Sequence, residues 1–202
     1  MQRINLRSYD EASRFITQEC LRACAEENKI RVSDLVFRLL RSPRLPMHCP
    51  QHHYLIPAAM LMAARKVQAG SLEELRDDLT EAMMRAKNVL PAFCGSCGSC
   101  GTAVGLGIYT SILLNADQYS IHSWALVNRI AGECLLKIAE IDGPRCCKRN
   151  SYIALQVGEQ FSKEVLGLDL GTSEHIQYIF YEKNASECKK QACPFYPLNE
   201  TE

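Results

Sequence analysis

At 202 residues, 47% of them hydrophobic, the chain is long enough for one domain, or one and a half, around a real core. Its 23 basic and 23 acidic side chains cancel, so it lacks the basic excess of a protein held on nucleic acid by phosphates. The N-terminal residues carry no apolar leader, and the longest apolar run, Leu55 to Ala64, is broken by Pro57 well short of the roughly 20 residues a membrane span needs; a soluble, cytoplasmic protein without a membrane partner is expected.

In chain order, Ser8-Tyr9-Asp10-Glu11 reads as a capping box that opens a helix to about residue 28, with Ala12, Phe15, Ile16 and Cys20 on one face. A shorter helix from Ser33 carries Leu35, Val36, Leu39 and Leu40 and ends before Pro43. After "RLPMHCPQHH", residues 51–69 read as helical, with Gly70 as the stop signal. Ser71 and Glu74 form a second capping box for a helix to about residue 89. A small-residue helix spans 101–115, another runs from 123 to about 141, and a last one covers 146–166 before Gly167. Only "IQYIFYEKN" has the β-branched and aromatic character of a strand, with "QRINLR" as a candidate partner. The fold class is therefore mainly α: a compact multi-helix domain with a small β element or an irregular C-terminal tail. Residues 1–46 form an N-terminal helical segment, packed as one unit with a cysteine-rich domain over 47–202.

Eleven cysteines are the unusual feature. An odd count without an export signal argues against a disulfide framework, and clustered thiols in a reducing compartment more often bind metal or do chemistry. Cys20, Cys24 and Cys134 sit inside apolar helical patterns and read as core residues. The other eight lie at segment edges beside Gly, Pro, His or Arg.

In "FCGSCGSCG", Cys94, Cys97 and Cys100 recur every third residue with glycine between them. Thiolates suit soft metals, and three ligands from one loop lower the entropy of assembling a site. The run matches the first three positions of the bacterial ferredoxin pattern C-x2-C-x2-C-x3-C-P, then departs with Val104 where the fourth cysteine belongs. The plainer reading is a glycine-rich turn whose thiols only fill space. "MHCPQHH" offers His48, Cys49, His52 and His53 at a helix start, where His48 and His52, four apart, or Cys49 and His52, three apart, would share a helical face; the plainer reading of the histidines is two solvent-facing imidazoles. "GPRCCKRN" places Cys146 and Cys147 at a helix start between Arg145 and Lys148, where dipole and cations would favour thiolate. Adjacent helical residues diverge by about 100°, so both can hardly hold one ion unless this is a turn. Arg145, Lys148 and Arg149 could hold an anionic substrate there. "ECKKQACPFYP" adds Cys188 and Cys193.

The candidates span positions 48–193, so one site assembled by the fold is expected rather than a local zinc finger. The ligand set is Cys49, Cys94, Cys97, Cys100, Cys146, Cys147, Cys188, Cys193, His48 and His52, with Cys49 and the triple-thiol loop as the core of an iron–sulfur cluster. One or two centres, [4Fe–4S] in type, are allowed, with zinc as the alternative. Gly101, Ala103, Gly105 and Gly107 have small-xxx-small spacing and read as a close-packing face, because no strand precedes them as a dinucleotide site requires.

These stretches together resemble an uncharacterised cysteine-rich domain family of prokaryotes, found alone or behind a SAM-dependent methyltransferase domain. The small-residue stretch after Cys100 is distantly similar to a helical family of redox-active proteins with a glycine–cysteine–alanine signature. The resemblance implies a metal or redox role and work beside a methyltransferase; the iron–sulfur reading adds an electron-transfer protein as the other candidate partner. Three functions are open: an iron–sulfur protein in redox or substrate activation; a thiol-dependent enzyme using Cys146, Cys147, Arg145 and Lys148; and a zinc-stapled structural or adaptor protein. A homodimer paired through the strand at 176–181 is also compatible.

Overall fold

The computed structural model describes residues 6–26, 30–171, 176 and 178–197. Among them lie eight α-helices: α1 (Leu6–Ala25), α2 (Val32–Arg41), α3 (His52–Val67), α4 (Leu72–Lys87), α5 (Phe93–Ser96), α6 (Gly101–Leu113), α7 (His122–Ala139) and α8 (Cys147–Glu164). A 3-10 turn, Lys190–Ala192, interrupts an otherwise irregular C-terminal tail. None of these helices is long and apolar enough to cross a membrane.

Local chemistry explains the boundary between α3 and α4. At the start of α4 the Ser71 hydroxyl accepts from the Glu74 N–H at 3.1 Å while the Glu74 carboxylate accepts from the Ser71 N–H at 2.7 Å, the reciprocal capping box. The box expected at Ser8 does not open α1, because the chain is already helical at Leu6. Beyond α3, Ala69 rather than Gly70 takes the left-handed turn, at φ 54°, and the Gly70 N–H closes onto the Arg65 carbonyl at 2.8 Å. The single turn α5, inside the triple-thiol loop, has no sequence signature.

Helix α3 is the axis of the molecule. Its residues from Tyr54 to Ala64 are buried, and α1, α2, α4, α6 and α8 all pack on it. A helix apolar on every face can only sit this way. Pro57 has no N–H to offer the His53 carbonyl, and that carbonyl faces α6 at Gly105. A Cβ on Gly105 would stand 2.8 Å from Pro57 Cδ and 2.9 Å from His53 O, and one on Gly101 would overlap the His53 ring. The small-residue stripe is thus a packing face.

Those contacts also fix direction. Gly101 meets His53 and Gly105 meets Pro57, so α6 runs parallel to α3. Helix α8 follows the same course: Thr102 donates to the Asn150 carbonyl, Gly158 lies against Leu106 and Met60, and Tyr109 bonds Ser162. Three parallel helices therefore open their N-termini at one end of the molecule.

The tail corrects the strand expectation. Among the described residues there is no strand; positions 178–180 are irregular and 181–187 are turns. The alternation is present, with Tyr178 and Phe180 buried and Ile179 42% exposed, but the side chains pack onto helices. No second strand supplies a ladder: of "QRINLR", residues 2–5 lie outside the described residues and Leu6 and Arg7 are helical. The exposed edge that would have paired across a dimer is absent there too.

Candidate functional site: thiols at three helix ends

Each of the three converging N-termini brings a cysteine. Cys49 lies in the turn before α3, Cys100 is the N-cap of α6, and Cys146 and Cys147 straddle the start of α8. Cys147 shares its electrostatic surroundings with Cys100, Cys49 and Cys146, and burial with those neighbours pushes its thiol up to about 12. Burial likewise raises Cys49 to about 11, against Lys148 and nearby backbone N–H groups that pull it down. The expectation that dipole and cations would favour thiolate at Cys147 therefore fails, because desolvation outweighs them.

Hydrogen bonds orient these sulfurs. Asn150 Nδ2 donates to Cys100 Sγ at 3.4 Å, and Thr102 Oγ1 lies 3.2 Å from the same sulfur. Asn150 in turn accepts from Arg149 Nε at 3.3 Å. A guanidinium, an amide and a sulfur are thus linked in series. The Cys49 thiol donates to the Pro46 carbonyl at 3.6 Å and lies 3.2 Å from His52 Nδ1.

His52 is fully buried, and burial drops it to about 3, so its ring is neutral. Nδ1 is 2.9 Å from the Cys49 carbonyl. A carbonyl only accepts, so the proton sits on Nδ1 and Nε2 keeps its lone pair. Nε2 is buried without a hydrogen-bond partner.

Two buried cations complete the region. Lys148, 2% exposed, donates to the carbonyls of Leu40 and Leu45 at 2.6 and 2.7 Å and lies 4.9 Å from the centre of the Phe180 ring. Arg149, 3% exposed, contacts only neutral acceptors, Asn150 Oδ1 and the Pro144 carbonyl. Neither pairs with a carboxylate among the described residues.

The other expected residues fall elsewhere. Cys146 is the extended N-cap of α8, at φ -136° and ψ 105°, and its sulfur accepts from the Arg149 N–H and lies 3.0 Å from Tyr178 Oη. Cys193, raised by burial, shares that second neighbourhood with Cys146 and Cys188. His48 is drawn to the tail, where it meets Glu187 at 3.0 Å and Asn184 at 3.2 Å. Cys94 and Cys97 stay on the α5 loop, half-buried and exposed respectively, and Gly98 at φ 66° turns the chain back toward Cys100. Lys148, expected to face a substrate, faces the end of α2 instead. Cys20 and Cys134 are core residues, and Cys24 is half-buried. Tyr178 and Asn150, unmarked by any sequence motif, are the sulfur contacts that reading by pattern misses.

Donor chemistry here fits a soft metal: thiols, N–H···S bonds and a histidine whose other nitrogen is tied to a carbonyl. The side chains are gathered rather than closed. Among the described residues no three His, Cys, Asp or Glu groups stand where they could hold an ion.

No curated protein and no solved structure matches the chain. Residues 19–196, which take in all three helix ends and the tail that covers them, match a family of unknown function, DUF5714, and the chain belongs to that family.

Proposed function

We propose that the chain is an iron–sulfur protein whose centre is held by thiols at the N-termini of α3, α6 and α8, and that it moves electrons or activates a substrate for a partner, a methyltransferase or an electron-transfer protein. Cys49, Cys100 and Cys147 would supply ligands from the helix ends, and Cys94 and Cys97 from the adjoining loop. One observation carries this: two buried cations, Lys148 and Arg149, stand beside these sulfurs with no carboxylate to balance them. A buried cation without a counter-charge is costly. Thiols held at about 11 and 12 are neutral at pH 7 and do not supply one. A cluster held by four thiolates is an anion and does. Binding would release the thiol protons, so affinity should strengthen with pH.

Protein prepared without oxygen is expected to carry iron by elemental analysis, with broad visible absorbance and an EPR signal after reduction. Both should be lost in Cys100→Ser. Folded, colourless protein free of iron would overturn the reading.

Zinc is the second reading, and His52 favours it. A neutral imidazole with Nδ1–H on a carbonyl and a buried, unpartnered Nε2 is the arrangement of a metal-ligating histidine. Stoichiometric zinc in the same preparation, with unfolding on chelation, would select it. A thiol enzyme built on Cys146 and Cys147 has less support, since the first sulfur is 3% exposed and engaged as a helix cap and burial keeps the second thiol neutral.

A further inference from the structure

Beside the sulfur site, an open cleft of about 820 Å³ lies between the α5 loop, the second half of α7 and the start of α8. Its lining takes Arg145 and Arg149 from around the start of α8, Cys100 from the N-cap of α6, and the apolar Leu135, Ile138 and Ile141 from the α7 side. Arg145 is exposed and pairs with no carboxylate among the described residues, and Arg149 is buried against neutral acceptors only. Two arginines four residues apart around the start of α8, in a cleft lined by apolar residues on its α7 side, match an acid head on an apolar body.

Gly132 is the independent sign. It stands within the 18-residue helix α7, where glycine is a poor choice, and a Cβ built on it would meet nothing within 4 Å. Packing therefore does not require glycine at this position. It lines the cleft, and its bare backbone keeps the wall open.

We propose that this cleft binds a small organic anion, a carboxylate or phosphate on an apolar body, with the acid group at Arg145 and Arg149 and the body along α7. The bound anion lies beside Cys100, at the edge of the sulfur site, and is the substrate class that site serves. Only this last role rests on the metal reading; the binding does not.

Calorimetric titration of the full chain with hexanoate, hexyl phosphate and hexanol tests it. At least one of the two acids should bind, and about tenfold or more tightly than the alcohol, the difference expected from charge-assisted hydrogen bonds. The stronger acid names the head group. Arg145→Gln, at an exposed position, should weaken that acid about tenfold and leave hexanol unchanged. Gly132→Phe, its helicity checked by circular dichroism, should abolish binding by filling the trough. Acids that bind no better than hexanol, or an Arg145→Gln protein that binds them like the wild type, would overturn the proposal. Iron and zinc measured on the same preparations separate the two ideas: metal present without acid binding removes the cleft alone, and acid binding without either metal removes the sulfur centre alone.

Discussion

Lys148 shows how a residue expected at a substrate can serve the interior instead. Its Nζ donates to one carbonyl at the end of α2, Leu40, and one in the turn beyond it, Leu45, and faces Phe180, with Cys49, Cys147, Cys146 and Lys183 as its charged or titratable neighbours. Burial holds it down at about 8, from 10.5. Between those values the unfolded chain binds the proton and the folded chain does not, so this group makes stability rise with pH across that window. Cys49 and Cys147 act oppositely above pH 9.0, because burial favours their neutral forms. Comparison with Lys148→Met isolates the lysine. The stability of wild type relative to that variant should grow by up to about 3 kcal/mol from pH 8 to 10.5, read by urea unfolding. A difference that ignores pH would mean the amine ionises as it does in water.

Two glycines on neighbouring helices separate packing from open space. At Gly105 an added methyl meets the backbone carbonyl of His53 and the ring of Pro57, neither of which can turn aside. Gly105→Ala should cost about 1–3 kcal/mol. At Gly132 the same methyl meets nothing, so Gly132→Ala should stabilise by about 1 kcal/mol through helix propensity alone. Urea midpoints that move the same way for both would refute the distinction. The small-residue spacing from Gly101 to Gly107 announced a close contact, since it recurs on one helical face. That the partner is α3, running parallel with its proline opposite the glycine, had no local sign.

Across the whole molecule, the tail is a structural member. Tyr178, Phe180, Cys193 and Phe195 join the same core as every helix but α5, and Phe180 packs edge-on to Tyr178 beneath Lys148. Phe180→Ala should cost about 3–5 kcal/mol, the range for a buried aromatic, in thermal or urea unfolding. A loss below about 1 kcal/mol would mean the tail is only loosely docked. The aromatic alternation at 178–180 was visible in the sequence, yet it produced no strand, because period-2 burial needs a partner ladder only when the surface beneath is a sheet.

What the sequence determined by itself is local: helix spans, the capping box at Ser71, the packing stripe of α6, the burial of Cys20 and Cys134. Each follows from periodicity or from side chains within four residues of one another. The place of Cys146 was not among these, because it lies outside the helix as an extended N-cap, where the 100° step between helical residues does not apply. Only the tertiary structure decided that Cys49, Cys100 and Cys147 share one end, that His48 and Cys146 face the tail, and that Lys148 points inward. Those outcomes depend on three helices packing in parallel, a long-range choice made by the summed burial of α3 and its neighbours rather than by any one motif.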